Sequence, residues 1–439
     1  MLKNRIGQLI SSGKGTERIA IIDFEIENLR MINDTFGHSV GDQIMIKSAA
    51  MLKNLLKESC DISRVDKGEF VVVLHHVKNI EQIKECANRI LASFSHPVLT
   101  ETGIEALFVV VHMGISLYPD DGKDADTLIK NADLARFEAK NTNEKIVFYT
   151  EQLENRISEN TLLTNRLFHS LQNKEFFLEF QPQINCSTEK TVGIEALLRW
   201  TTIDNKRVPP DRFIPILEQT GLIYEVGLWV LEQALQEHNR LIEKGFPPLR
   251  IAVNLSVVQF QEKDLIPDFI KIIEGSQVNP EYVELEITES LLSKNPEDVI
   301  VKLHKLKELG VTIVIDDFGK GYSSLSRLKR VPFDKIKIDK EIIDHIDVER
   351  KAAPLTEIII QLARTFNASV IAEGVETKEQ ADFLKSIACD EIQGYYYSIP
   401  LSSEALEEFL EKELYRCKTI MHPKRCGLLV HCKEQAREA

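Results

Sequence analysis

Val311-Thr312-Ile313-Val314-Ile315-Asp316-Asp317 runs a block of β-branched residues into two adjacent carboxylates. Such a block stiffens the backbone toward an extended strand, and the paired acids mark where that strand meets a loop. The same form recurs on both sides. Strand-like runs lie near 176–184, 191–199, 250–256, 282–288, 334–339, 368–373 and 391–397. Between them the apolar period becomes that of a helix. Over 298–309, Val299, Leu303 and Leu306 share one face and Gly310 supplies the stop. Another helix starts near Val226 and ends before Gly245 and Pro247. Strands joined mostly by helices predict an α/β fold closed as a modified (β/α)8, TIM-like barrel. The first two runs are separated by only a short polar stretch. That predicts a hairpin, and so one antiparallel strand in an otherwise parallel barrel.

The ends of these runs carry Glu195, Asn254, Glu286, Asp316, Asp317, Lys337 and Glu373. In a β/α barrel such ends converge on one mouth. Carboxylates gathered there repel one another unless cations neutralise them. Oxygen donors without histidine suit Mg²⁺ or Mn²⁺ rather than zinc. Each residue also has a plainer reading. Asp316-Asp317 is equally a helix cap followed by a turn, and Glu195 and Glu286 equally members of interior ion pairs. Asn254 reads as a strand-end hydrogen-bonder. Lys337 is either a surface lysine or a group that orients a water or meets phosphate. Phe318-Gly319-Lys320-Gly321-Tyr322-Ser323-Ser324 reads as a glycine-flanked loop able to close over a ligand.

A length of 439 residues predicts two domains. The net charge of −14 argues against binding DNA or RNA polymers, which needs a basic surface. A small anionic ligand stays open, because bound metals reverse the local sign. No apolar run approaches the ~18–20 residues that span a bilayer, and the start lacks a signal-peptide stretch. Seven scattered cysteines predict reduced thiols and a cytoplasmic setting, without excluding a tether outside this chain.

Residues from about 160 to 412 resemble the bacterial EAL-domain cyclic-di-GMP phosphodiesterases. The markers are Gln181-Pro182, Glu195-Ala196-Leu197-Leu198-Arg199-Trp200, Phe213-Ile214-Pro215, Asn254-Leu255-Ser256, Glu286-Ile287-Thr288-Glu289, Asp316-Asp317-Phe318-Gly319, Lys337-Ile338-Asp339, Glu373-Gly374-Val375-Glu376-Thr377 and Gln393-Gly394-Tyr395. The resemblance implies hydrolysis of cyclic-di-GMP to linear pGpG with two Mg²⁺ or Mn²⁺ ions. It implies Glu195, Asn254, Glu286 and Asp316 as ligands of one ion, and Asp316, Asp317 and Glu373 around the second. Lys337 and Glu373 would position and deprotonate the attacking water. Glu289 would anchor the loop that starts at Asp317, and Gln181, Arg199 and Gln393 would contact the dinucleotide or the metal shell. A homodimer through barrel helices is implied too. Lys320 stands where the family has threonine, which puts regulation in question. The rival reading is a cyclic-di-GMP receptor without turnover; a third is an unrelated Mg²⁺-dependent barrel enzyme.

The first half reads as a mixed α/β unit. Its strands are expected near 19–23, 70–74 and 107–111, and its helices near 40–57, 80–93 and 125–140. Ile32-Asn33-Asp34-Thr35-Phe36-Gly37-His38, Gly41-Asp42 and Met113–Gly122 resemble the GGDEF diguanylate cyclases. The signature loop is broken, reading Asp66-Lys67-Gly68-Glu69-Phe70. By that resemblance Gly68 replaces a metal carboxylate, and Glu25 stands at the other metal position. Asn143-Glu144 and Lys57-Glu58-Ser59-Cys60 also depart from the family pattern. Cyclase activity is therefore not expected. Asn33 and Asp42 keep guanine-contacting positions, so a regulatory GTP site stands beside the plainer reading of a structural module. The expected organisation is a degenerate GGDEF domain over 1–148, a connecting helix over 149–172, a barrel over 173–412 and a tail over 413–439. Cys417, His422, Cys426, His431 and Cys432 fit no standard zinc spacing. His75-His76 read as edge or surface residues, and Tyr395-Tyr396-Tyr397 as packing in a strand.

Overall fold

The computed structural model describes residues 2–12, 18–56, 60–66, 68–98, 107–142, 144–289, 291, 296–319, 328–346 and 353–421. The chain divides into two compact units, Met1–Leu162 and Leu163–Ala439. Lys57–Ser59, Lys67, Asn143, Lys320 with the loop after it, and the tail residues His422, Cys426, His431 and Cys432 lie outside the described residues.

The first unit orders α1 (Leu2–Ser12), β1 (Arg18–Ile26), α2 (Leu29–Phe36), α3 (His38–Leu56), β2 (Cys60–Arg64), β3 (Glu69–Val77), α4 (Ile80–Phe94), β4 (Val111–Tyr118), α5 (Ala125–Thr142) and β5 (Ile146–Phe148). The sheet runs β2-β3-β1-β4-β5 and is antiparallel except for β4–β5. Alternation along β1 serves two cores. Ala20, Ile22, Phe24 and Ile26 pack with Leu29, Ile44 and Ile83. Ile19 and Ile21 pack with Ile6, Leu128 and Ala132. Asp23 and Glu25 continue that second face.

Three expectations for this unit need correction. The strand expected over 107–111 begins only at Val111. Leu107 makes an isolated bridge to Val98. Beyond it, the Asn28 side chain donates to Phe108 O and accepts from Val110 N, so a side chain replaces a neighbouring strand. β2 and β5 were not expected; both are short and held by stronger neighbours. With β2 in place β3 is interior to the sheet, and His75 pairs with Asp61 at 2.8 Å rather than lying at an edge.

Helix α6 (Glu151–Ser170) contains the division between the units. The second unit continues with β6 (Phe176–Asn185), β7 (Thr191–Thr201), β8 (Arg207–Val208), α7 (Pro210–Thr220), α8 (Ile223–Glu243), β9 (Arg250–Leu255), α9 (Leu265–Ser276), β10 (Val283–Thr288), α10 (Pro296–Leu309), β11 (Thr312–Phe318), β12 (Lys335–Ile338), β13 (Ser369–Ala372) and β14 (Glu391–Ile392). Helices Lys340–Asp344, Pro354–Thr365, Lys378–Ser386 and Ser403–Met421 complete it. Strand order is β6-β14-β13-β12-β11-β10-β9-β7-β8, and a β6–β7 pairing closes the ring into an eight-strand barrel with β8 appended. β6 is antiparallel to both neighbours, as the hairpin requires, and the other barrel pairs are parallel.

Val299, Leu303 and Leu306 of α10 are fully covered against the barrel. Each contributes roughly 1.5–3 kcal/mol by burial. Gly310 closes that helix at φ +100°. The eighth strand is shorter than expected and stops at Ile392. A turn follows, in which Tyr397 N and Ser398 N donate to Gly394 O. Tyr395 is consequently 63% exposed rather than packed. Among the described residues no helix is long and apolar enough to cross a membrane.

Candidate active site

Interior side chains of a β/α barrel stack in layers of four drawn from alternate strands. Glu195 of β7, Glu286 of β10, Lys337 of β12 and Gln393, just after β14, form one such layer near the mouth. Lys337 is 1% exposed, which rules out the surface-lysine reading. Its Nζ donates to Glu286 Oε2 at 2.6 Å and Glu195 Oε2 at 3.3 Å. It also lies 2.5 Å from Glu373 Oε1 and 3.6 Å from Asp316 Oδ1. A lone lysine is not driven to such depth by its four-carbon stem; it is held there by three carboxylates from separate strands and by Glu373, just after β13.

The amides complete this layer. Gln393 Nε2 donates to Glu195 Oε2 at 2.6 Å and to Gln181 Oε1 at 3.1 Å. Gln181 Nε2 in turn donates to Ser398 O. Asn254 Nδ2 donates to Glu195 Oε1 at 2.6 Å, while the residue itself stays exposed at the end of β9. Asp317 takes φ +55°, its N–H donates to Asp316 Oδ1, and its charge acts on Asp316. Glu289 Oε2 accepts from Gly319 N at 3.3 Å, where the loop begins. Arg199 stands apart from Lys337 and pairs with Glu179 of β6 at 2.6 Å.

Charge is unevenly settled here. Burial pushes the Glu286 carboxyl well above the ordinary range and Glu195's charge adds to it, against Lys337. Burial likewise raises Asp316, and raises Glu373 to about 8, with Lys337 opposing in both. Burial also pushes Glu195 upward, but Lys337 and the amide donors outweigh it and hold it below the usual value. Burial disfavours the Lys337 ammonium, yet the charges of Asp316, Glu195, Glu286 and Glu373 raise its pKa well above normal. Among the described residues no three acidic, histidine or cysteine side chains converge as a ready metal cage, since Lys337 Nζ stands between them. The donor set nonetheless fits a cation: Glu286 Oε1 is buried without a hydrogen-bond partner, and four carboxylates share one lysine.

Sequence reasoning missed Gln183, whose Nε2 donates to Gln393 Oε1 at 3.1 Å. Its spacing from Gln181 along one strand was the available signal. Also missed was the layer beneath, where Lys335 meets Glu284 at 2.8 Å and Glu391 at 2.9 Å, with Arg250 beside both carboxylates. Gly193 takes the fourth place of that layer. A Cβ there would stand 2.6 Å from Gln183 Oε1.

The EAL domain family matches residues 164–400, more than half of the chain. This chain is an EAL-domain protein. The diguanylate cyclase GGDEF domain matches residues 1–145, so the two domains stand in tandem. Signaling protein YkoW of Bacillus subtilis is 35% identical over 88% of this chain and 48% of its own length. The bifunctional diguanylate cyclase/cyclic di-GMP phosphodiesterase MucR of Pseudomonas aeruginosa is 31% identical over 92% of this chain and 59% of its own. The solved PaMucR phosphodiesterase, in complex with c-di-GMP, is 36% identical with a TM-score of 0.53, covering 56% of this chain and 99% of that one. The chain spans about half the length of the curated relatives it matches.

In the GGDEF domain, Glu25 does not stand free. Arg136 Nη1 donates to Glu25 Oε2 at 2.5 Å, and Arg136 Nε donates to Asp23 Oδ2 at 3.1 Å. Asp133 takes the same guanidinium. Asn33 packs against Gly41, the neighbour of Asp42, and its Oδ1 has no hydrogen-bond partner.

Proposed function

We propose that the EAL domain hydrolyses cyclic-di-GMP to linear pGpG with two divalent cations, Mg²⁺ or Mn²⁺, and that the GGDEF domain is a regulatory unit without cyclase activity. The observation that carries this reading is the buried Lys337 joined to Glu195, Glu286, Asp316 and Glu373 at the barrel mouth. Glu195, Asn254, Glu286, Asp316 and Asp317 would hold the cations, with the partnerless Glu286 Oε1 as one donor. Two such ions, when bound, supply positive charge at the scissile phosphate.

The chain's own residues do the rest. Glu373 accepts the proton of the attacking water at its carboxylate. Lys337 Nζ holds that carboxylate in place and stays charged. Gln181 and Gln393, locked to each other and, through Gln393, to Glu195, present fixed amides to the dinucleotide. Arg199 meets a phosphate or a guanine edge, where a guanidinium binds in a planar, two-point manner. Glu289 tethers the loop entered at Asp317. In the GGDEF domain, the pairing of Glu25 with Arg136 supports loss of cation binding, and the exposed Asp42 beside Asn33 supports a guanine contact for GTP. Leu355 and Ile358, exposed on helix Pro354–Thr365, support a homodimer through barrel helices.

The test incubates the purified chain with cyclic-di-GMP and Mg²⁺ or Mn²⁺ and separates the nucleotides, with and without GTP. Release of pGpG is expected, and Glu195→Ala abolishes it. Glu373→Gln keeps binding while cutting the rate by about 10²-fold or more. Tight binding without product under either ion would place the chain among receptors instead.

A further inference from the structure

One carboxylate at the barrel rim holds two arginines. Along β7, Glu195, Leu197 and Arg199 alternate onto the interior-facing side. On β6, Gln181, Glu179 and Phe177 do the same, and the register sets Gln181 opposite Glu195, Glu179 opposite Leu197 and Phe177 opposite Arg199. Glu179 and Arg199 are therefore diagonal neighbours, within reach of long side chains. Arg199 Nε donates to Glu179 Oε2 at 2.6 Å and its Nη1 donates to Leu198 O at 3.1 Å. Arg207 enters from β8, where it pairs with Thr201, and its Nη2 donates to Glu179 Oε1 at 2.5 Å. Its guanidinium lies 5.8 Å from the centroid of the Phe177 ring.

Glu179 and Arg199 are 15% and 14% exposed, so this pair is sheltered, while Arg207 is 57% exposed. A sheltered carboxylate with one oxygen on each guanidinium fixes both in direction. The trio carries net positive charge on a rim that overlooks an acidic site. Arg199 keeps Nη2 without a partner among the described residues. Long arginine side chains otherwise lose rotamer freedom when a ligand orders them.

We propose that Glu179 is a positioning residue that presets Arg199 and Arg207 as one cationic edge for the dinucleotide. This rests on the reading of the mouth as a cyclic-di-GMP site. Glu179 touches neither substrate nor reacting atoms; it acts through the arginines it orients.

The experiment compares the full chain with Glu179→Ala, Glu179→Gln, Arg199→Ala and the Glu179→Ala/Arg199→Ala double variant. KM and kcat for cyclic-di-GMP are measured at saturating Mn²⁺, with Kd by calorimetry and melting temperature alongside. Glu179→Ala is expected to raise KM and Kd about fivefold or more, with kcat held within about twofold. Glu179→Gln keeps one acceptor oxygen and recovers part of the loss. The double variant weakens binding by less than the product of the single effects, as coupled neighbours do. An unchanged KM in Glu179→Ala, or single effects that multiply, overturns the proposal. So does a fall in kcat and melting temperature at constant KM, which is the mark of a merely structural residue. A wild-type chain that binds but does not turn over leaves the comparison to Kd with the same expectations. A wild-type chain that does neither removes the reading of the mouth itself, and this proposal with it.

Discussion

Lys337 shows how one residue can be costly and fixed at once. Its ammonium is stripped of water, and only the surrounding acids make that tolerable. Lys337→Met removes the charge but keeps the bulk. We expect it to lower stability by about 3–5 kcal/mol, because the carboxylates lose their partner. Turnover should fall by about 10²-fold or more, since Glu373 loses the group that holds it. Thermal melts and nucleotide separation check both; a variant with native rates would take Lys337 out of the reaction. Asp23, in the other domain, faces the opposite arithmetic. Burial raises its carboxyl to about 7 despite Arg136, and its Oδ1 has no hydrogen-bond partner. A carboxyl raised in the folded state contributes stability fully below its unfolded pKa of about 4 and loses it as pH rises through about 7. Relative to wild type, Asp23→Asn should therefore gain stability between pH 4 and 7.5, on the order of a few kcal/mol. Denaturant melts of both proteins across that range decide it, and a constant difference would show that Asp23 does not titrate there.

At the scale of the element, the barrel strands were legible because alternation and strand-end acids coincide on them. Lys335-Ile336-Lys337-Ile338 displays its two inward charges and two outward apolar residues in plain order. Burial of those lysines was not legible, since a lysine in isolation belongs at the surface. It takes ring closure to set the acids of β7, β10 and β14 around them. Short strands escaped notice for a related reason. Cys60–Arg64 and Ile146–Phe148 are too brief to show a period and are strands only through pairing with β3 and β4. Conversely, the tyrosine run after Gln393 has strand composition but turns away. Gly394 packs so closely on Val375 that a Cβ would stand 2.2 Å from its carbonyl oxygen. The layer beneath the mouth gives a prediction of its own. Lys335→Ala should lower stability by about 3–5 kcal/mol, because Glu284 and Glu391 then share Arg250 as their one cation among the described residues. Because it lies one layer below Lys337, the folded fraction should keep near-native KM for cyclic-di-GMP. A raised KM at native stability would show that the lower layer shapes the mouth.

Across the whole molecule, the two domains settle the same electrostatic problem in different ways. Asp23, Glu25 and Asp133 of the GGDEF domain share Arg136, a permanent internal cation. The EAL domain sets one lysine against four carboxylates and leaves Glu286 Oε1 unpaired. An added divalent cation should therefore stabilise one domain and not the other. Ligand that binds only the folded state raises stability by RT ln(1 + [L]/Kd), about 2.7 kcal/mol at a hundredfold excess over Kd. In calorimetry of the full chain, we expect Mn²⁺ or Mg²⁺ to move the EAL transition upward while the GGDEF transition stays still. Glu286→Gln should abolish that shift, because the amide removes a carboxylate from the donor set. Arg136→Met should make the GGDEF transition respond to the cation, since its three acids would then lack a positive partner. Equal movement of both transitions in the wild-type chain would mean that the ions act on the surface of a protein of net charge −14 rather than at the barrel mouth.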